Sequence, residues 1–126
     1  MSKKIFETKE APAPIGPYSQ AVEVNGILFV SGQIAIDPAT GNLLTDNVEE
    51  ETHRVMKNIE AILKEAGLGF SNIVKTSIFL SDMNLFAAVN QVYGSYFSEE
   101  YPARECVAVK TLPKNVNVEI SVIVAR

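Results

Sequence analysis

Val116-Asn117-Val118-Glu119-Ile120-Ser121-Val122-Ile123-Val124-Ala125 alternates with a period of two. Val116, Val118, Ile120, Val122 and Val124 fall on one face, and Asn117, Glu119 and Ser121 on the other, because successive strand side chains point to opposite sides. A strand of this kind commits one face of a sheet to a core. It also places Glu119 in mid-strand on the more polar face.

The cover for that core is legible upstream. From Val48 to Ala66 the period becomes helical, with Val55, Ile59, Ile62, Leu63 and Ala66 on one stripe. Glu50 with Arg54, and Glu60 with Lys64, stand four apart in the favourable order on the exposed side. Acidic residues crowd the first turn and Gly67 is a natural stop. A second helix, about 83–97, is expected behind the cap Ser81-Asp82, with Leu85, Val89, Val92, Tyr93 and Tyr96 at helical spacing. Gly94 inside it carries a helix penalty and predicts close packing. Between the helices, Ile73 to Leu80 is β-branched and reads as a strand.

The N-terminal part supplies more strands. Residues 3–8 make a short edge strand, and Ala11-Pro12-Ala13-Pro14-Ile15-Gly16-Pro17 an ordered loop that fixes Tyr18. Residues 19–24, Asn25-Gly26 and 27–31 read as a hairpin. Its second strand is apolar on both faces, which calls for cover on both. Gly32 then suggests a bulge or the close approach of another group. Ile34–Ile36 extends that strand, and 37–42 is a turn. Tyr101-Pro102 leads into a last unassigned strand, 104–109.

The order β-β-β-α-β-α-β-β implies an α+β fold, with two helices on one face of a mixed sheet. The other face mixes Ile and Val with Ser, Thr and Lys, too apolar to leave in water, so a homo-oligomer is expected. At 126 residues the chain makes one domain, 1–126. A net charge of -4 speaks against phosphate-driven nucleic-acid binding. One cysteine excludes an internal disulfide. The start, from Met1 to Glu7, lacks the apolar core of a signal peptide, and no run reaches the roughly 18 apolar residues of a membrane span. A cytoplasmic protein is the default.

The chain has no GxGxxG, P-loop, HExxH or CxxC motif. Its sole histidine, His53, has no second ligand at metal spacing and reads as a solvated helix residue. No metal site is expected. What remains is Arg104, Glu119, Tyr18, Cys106 and Ser31-Gly32. Arg104 is the only cation between Lys75 and Lys110, and a lone guanidinium among apolar neighbours calls for an anion. That anion is either a ligand carboxylate or a protein carboxylate, Glu119 or Glu105. Cys106 shares a face with Arg104 and reads either as a small buried thiol or as a nucleophile. These residues together suggest a site for a small carboxylate without metal or cofactor.

Gly16-Pro17-Tyr18-Ser19-Gln20-Ala21, Ser31-Gly32-Gln33, Asp82-Met83, Val89-Asn90-Gln91-Val92-Tyr93, Tyr101-Pro102-Ala103-Arg104 and Val118-Glu119-Ile120 together resemble the reactive intermediate/imine deaminase (RidA/YjgF/YER057c/UK114) family, in its archetypal deaminase subgroup. The resemblance implies a chorismate-mutase-like mixed six-stranded sheet, assembled as a homotrimer with clefts between subunits. It implies hydrolysis of reactive 2-imino acids (2-iminobutanoate, 2-iminopropanoate) to 2-keto acids and ammonia, without a cofactor. On that resemblance Arg104 holds the substrate carboxylate and Glu119 positions the water. The backbone around Gly32 and Cys106 bonds the substrate, and Tyr18 and Ser31 line the cleft. Glu105 stands where small polar residues are common, and Asn84-Leu85-Phe86 also departs from the family pattern. By alternation Glu105 points away from Arg104.

Two other function classes compete with the enzyme. One is a non-catalytic module that binds small keto or carboxylic acids. The other is an RNA-directed inhibitor of translation, which the acidic balance and the missing general-base histidine disfavour.

Overall fold

β-branched runs and two amphipathic segments resolve into eight main elements in a computed structural model that describes residues 2–126. Residue 1 of the expected 1–126 domain lies outside the described residues. The strands are β1 (Lys4–Phe6), β2 (Ala21–Val24), β3 (Ile27–Gln33), β4 (Ile73–Leu80), β5 (Ala103–Ala108) and β6 (Val118–Ala125), and the helices are α1 (Val48–Glu65) and α2 (Phe86–Gly94). The sheet runs β1-β2-β3-β6-β4-β5. Only β4 and β5 pair in parallel; the other neighbours are antiparallel.

β6 sits inside this mixed six-stranded sheet, and its alternation decides the layers. Val118, Ile120, Val122 and Val124 are buried with Val55, Ile59, Ile62 and Leu63 of α1 and Val89 and Tyr93 of α2 in one core. Each fully buried Ile or Leu of that layer contributes about 2 kcal/mol of apolar burial. Both helices therefore cover one face. The other face leaves Phe29 and Val107 nearly half exposed within one copy, so the chain's own helices supply cover to one face of β3 only. Among the described residues, no helix is long and apolar enough to cross a membrane.

Local chemistry sets the boundaries. Asn25 and Gly26 both take positive φ (51° and 79°), the geometry of a tight hairpin turn. Asn47 caps α1, its side chain accepting from the Glu50 N–H at 2.8 Å. At the other end, Gly67 at φ 74° lets its own N–H reach the Lys64 carbonyl (2.9 Å) and the Leu68 N–H reach that of Leu63 (2.8 Å).

Several expectations are corrected. The edge strand is three residues, Lys4–Phe6, not 3–8. β3 continues through Gln33 with a register shift after Val30, and beyond it only Ile36 forms an isolated bridge, with Leu43. The helix expected over 83–97 divides. Asp82 accepts from the Asn84 N–H at 2.8 Å, and Met83–Leu85 winds as a tighter turn before α2. After Gly94 the chain tightens again, with Tyr96 and Phe97 bonding back three residues, which carries their rings onto Phe70. A Cβ at Gly94 would meet nothing within 4 Å, so that glycine faces open space instead of a close packing partner. Val116 keeps the alternation but lies outside β6. Lys114 and Asn115 at positive φ (57° and 56°) turn the chain there, and Val116 is buried with Ile34 and Leu112 in a separate cluster. On α1 the close ion pair is Lys57–Glu60 at 3.5 Å, while Arg54 donates to Asn58 at 3.1 Å instead of pairing with Glu50.

Candidate functional site

Glu119 projects from β6 on the face away from the helices, into a cleft of about 330 Å³. Its carboxyl lies against the backbone of Gly32: a Cβ on that glycine would fall 2.9 Å from Glu119 Cδ. Gly32 thus serves both roles its type suggested, a bulge in β3 and a close approach. Burial pushes the Glu119 carboxyl above its ordinary value of 4.5, because charge is disfavoured where water is scarce. Among the described residues, Glu119 forms no salt bridge.

The opposite wall is the proline loop. Pro12, Ala13, Ile15 and Tyr18 line the cleft with Ser31 and Gly32. Tyr18 is held in place locally: its hydroxyl accepts from the Ile15 N–H at 3.2 Å and its own N–H donates to Gly16 O at 2.9 Å. The loop as a whole is held by Gln20, a buried side chain. Gln20 Oε1 accepts from the Thr8 N–H at 2.7 Å, and Nε2 donates to the carbonyls of Thr8 (3.0 Å) and Pro12 (2.9 Å). Each such buried bond contributes about 1 kcal/mol, and more is lost if a partner is orphaned. Ser31 lines the cleft too, but its hydroxyl donates to Ser19 O at 2.6 Å.

Arg104 lies elsewhere, on β5 at the edge of the sheet. Its Nη1 donates to Asn90 Oδ1 of α2 at 2.7 Å. The guanidinium carbon sits 5.2 Å from the Tyr93 ring centroid and 5.7 Å from that of Phe86, within cation–π range. Among the described residues, no carboxylate lies within salt-bridge reach of Arg104. It opens instead on a hollow of about 490 Å³ shared with Asn90, Tyr93, Gly94, Tyr101 and Pro102.

The register separates the two groups. Arg104 pairs with Thr76 of β4, which is buried on the helix side, whereas Glu119 pairs with Phe79 of β4, on the other side. Within one copy, Arg104 and Glu119 occupy opposite faces of the sheet, so the pairing of the two considered from sequence is not made. The Glu105 alternative fails as well. Glu105 turns to the uncovered face, where it accepts from Ser77 Oγ and bonds Lys75 Nζ at 3.0 Å. Those two partners hold its carboxyl below 4.5, with the Ser77 hydrogen bond the larger cause.

Cys106 follows Arg104 on the helix side and is partly packed against the core. Burial pushes its thiol above the ordinary 9.0, against the opposing pull of Arg104, so it is a packed thiol rather than an activated nucleophile. His53 is exposed, its Nδ1 2.8 Å from the Tyr96 hydroxyl. Among the described residues, no cluster of three or more His, Cys, Asp or Glu could hold a metal ion.

Sequence reasoning assigned no role to Gln20 or Asn90. A polar residue flanking a proline-rich loop was a weak signal for the first. Asn90 has its signal only in three dimensions, since fourteen residues separate it from the arginine it orients.

The model of the family described as Endoribonuclease L-PSP matches residues 8–126. A RutC family protein of Synechocystis sp. is 55% identical over 122 residues, which is 95% of this chain and 94% of the relative. The 2-iminobutanoate/2-iminopropanoate deaminase of Mus musculus is 46% identical over 121 residues, 96% of this chain and 90% of the mouse protein. The solved structure of E. coli TdcF with bound serine matches with a TM-score of 0.93 at 41% identity, covering 98% of each chain. On matches of this extent, the chain belongs to the endoribonuclease L-PSP family, which is also the RidA family.

Proposed function

We propose that this chain, as one domain over residues 1–126, hydrolyses 2-imino acids such as 2-iminobutanoate and 2-iminopropanoate to the 2-keto acid and ammonia, with no cofactor. The observation that carries the reading is a pair of groups uncompensated among the described residues, a guanidinium without a carboxylate and a half-buried carboxylate without a cation. An imino acid complements both. Its carboxylate suits the fork of Arg104, and its electrophilic carbon needs a water held by a base. The mouse relative's activity supports this substrate class.

Because the two groups face opposite sides of one sheet, a working site combines Arg104 of one copy with Glu119 of another. A homotrimer with clefts between subunits meets that need and also covers the half-exposed Phe29 and Val107. In the reaction, Glu119 takes a proton from water as its oxygen attacks the iminium carbon. The Glu119 proton then passes to the nitrogen of the tetrahedral adduct, the C–N bond breaks to release ammonia, and the hydroxyl proton returns to the Glu119 carboxylate as the C=O bond forms. Burial favours the protonated form of this carboxyl, which suits a group that holds a proton between the two steps. Backbone groups at Gly32 and along the outer edge of β5 near Cys106 bond the substrate, with Tyr18 and Ser31 shaping the cleft. Such an enzyme would work in the cytoplasm, where short-lived imines are removed as metabolic damage.

The test generates 2-iminobutanoate with a dehydratase and follows ammonia or keto-acid release. Wild type accelerates it and Arg104→Ala does not; equal inactivity of both overturns the reading. Two observations supply alternatives to measure alongside. The serine in E. coli TdcF fits a binding-only module, which would show 2-ketobutyrate binding by calorimetry with null turnover. The family's description as an endoribonuclease calls for an RNA-cleavage assay, in which wild type and Arg104→Ala are expected to be equally inactive.

A further inference from the structure

Glu51 is a fully buried carboxyl on α1, in the chain's main core layer, and the chemistry above does not use it. Burying a carboxyl is costly unless its oxygens are satisfied. Here both are, by one short segment. Oε2 accepts from the backbone N–H of Asn117 at 2.7 Å and of Val118 at 3.2 Å, and Oε1 accepts from Asn117 Nδ2 at 2.9 Å. Asn117 is held from its other side by the residue that follows β4: Ser81 Oγ donates to Asn117 Oδ1 and the Ser81 N–H to Asn117 O, both at 3.0 Å. The clamped residues are the two immediately before Glu119. Since Glu119 is packed against Gly32 with no room for a methyl group, a small shift of β6 at this point moves its carboxyl off that surface.

We propose that Glu51 is a positioning residue: its carboxyl locks the start of β6 and so sets where Glu119 stands against Gly32. The reach of this proposal into catalysis rests on the deaminase reading, but the positioning itself does not.

Three substitutions separate hydrogen bonding from charge. Glu51→Met fills the volume and removes bonds and charge together. Glu51→Asp keeps the charge but withdraws the oxygens by a methylene. Glu51→Gln removes the charge and can keep the bonds: its oxygen takes the two N–H groups, its amide donates to a flipped Asn117, and Ser81 Oγ turns to accept.

The carboxyl titration of Glu119, followed by carbon NMR and assigned with Glu119→Gln, reads the result. Positioning predicts that the Met and Asp variants titrate closer to the ordinary carboxylate value while Gln titrates like wild type. A shift in Met and Gln but not Asp means action through charge, and no shift in any means a purely structural role; either overturns the proposal. Should the Met variant not fold, the Asp and Gln pair still decides. In the imine assay, kcat should fall on the order of tenfold in Met and Asp at unchanged KM, and return in Gln. If wild type hydrolyses no imine, the deaminase reading fails while the titration still judges the clamp.

Discussion

The Glu119 cleft and the Arg104 edge are built on opposite physical plans. The cleft is walled: Gly32 presses on the carboxyl from one side, and a loop pinned by Gln20 closes the other. Scarce water there works on the protonation of one group, raising it. The edge is open: among the described residues the Arg104 guanidinium bonds Asn90 and lies over two aromatic rings. Its charge is oriented but left uncompensated. A walled carboxyl is a tool for moving protons, and an open guanidinium is a tool for catching anions. Within one copy the sheet keeps them on different faces, so neither neutralises the other there.

The largest expected effect breaks the anion-catching half. Arg104→Ala should lower kcat/KM about 10³-fold through loss of two charge-assisted bonds, and Arg104→Lys should recover little of it because the bidentate fork is gone. Next comes the proton-moving half. Glu119→Gln should lower kcat about 10²-fold or more with KM little changed.

The same variant carries a stability signature. Because the folded carboxyl is held above 4.5, the native state binds its proton more tightly than the unfolded chain does. Stability therefore falls as pH rises from 4.5 through the raised value, and the ionised group is a net cost above it. Glu119→Gln should melt at a higher temperature than wild type at pH 7.5, and the gap should close at pH 4 in a thermal-melt series.

Mixing the two dead variants sharpens the comparison. If each site takes Arg104 from one copy and Glu119 from the next, equimolar Arg104→Ala and Glu119→Gln, unfolded and refolded together, should regain roughly a quarter of the sites. No recovery would place both groups in one copy's site. Gly32→Ala should cost about tenfold in kcat in the imine assay, because the new methyl displaces the Glu119 carboxyl. The smallest effect belongs to Glu105→Ser, within about twofold in kcat/KM, since Glu105 pairs with exposed Lys75 on the face away from Arg104.

Much of the fold was legible because its signals are periodic. The α1 stripe from Val55 to Ala66 is buried as its spacing requires, and β6 buries the predicted side from Val118 onward. Boundaries failed where short-range chemistry overrode the period. Asp82 and Gly94 cut the second helix to nine residues, and two residues at positive φ cut Val116 out of a strand it matches in pattern. At the site, residue types were legible and partners were not. Glu51, Gln20 and Asn90 each act through a bond to a residue between 8 and 67 positions away, and no local pattern encodes such a distance.

What the sequence by itself determined is the layer plan and the chemical kit, because periodicity and residue type are local properties. Alternation in β6 alone requires Glu119 to face away from the core. Only the tertiary structure decided how the kit is divided. The parallel pairing of β5 on β4 sets Arg104 opposite Thr76, and the antiparallel pairing of β6 sets Glu119 opposite Phe79. Pairing register is a long-range choice, and a shift of one residue in β5 would have turned Arg104 to the other face. That register leaves a guanidinium and a carboxylate apart on one sheet.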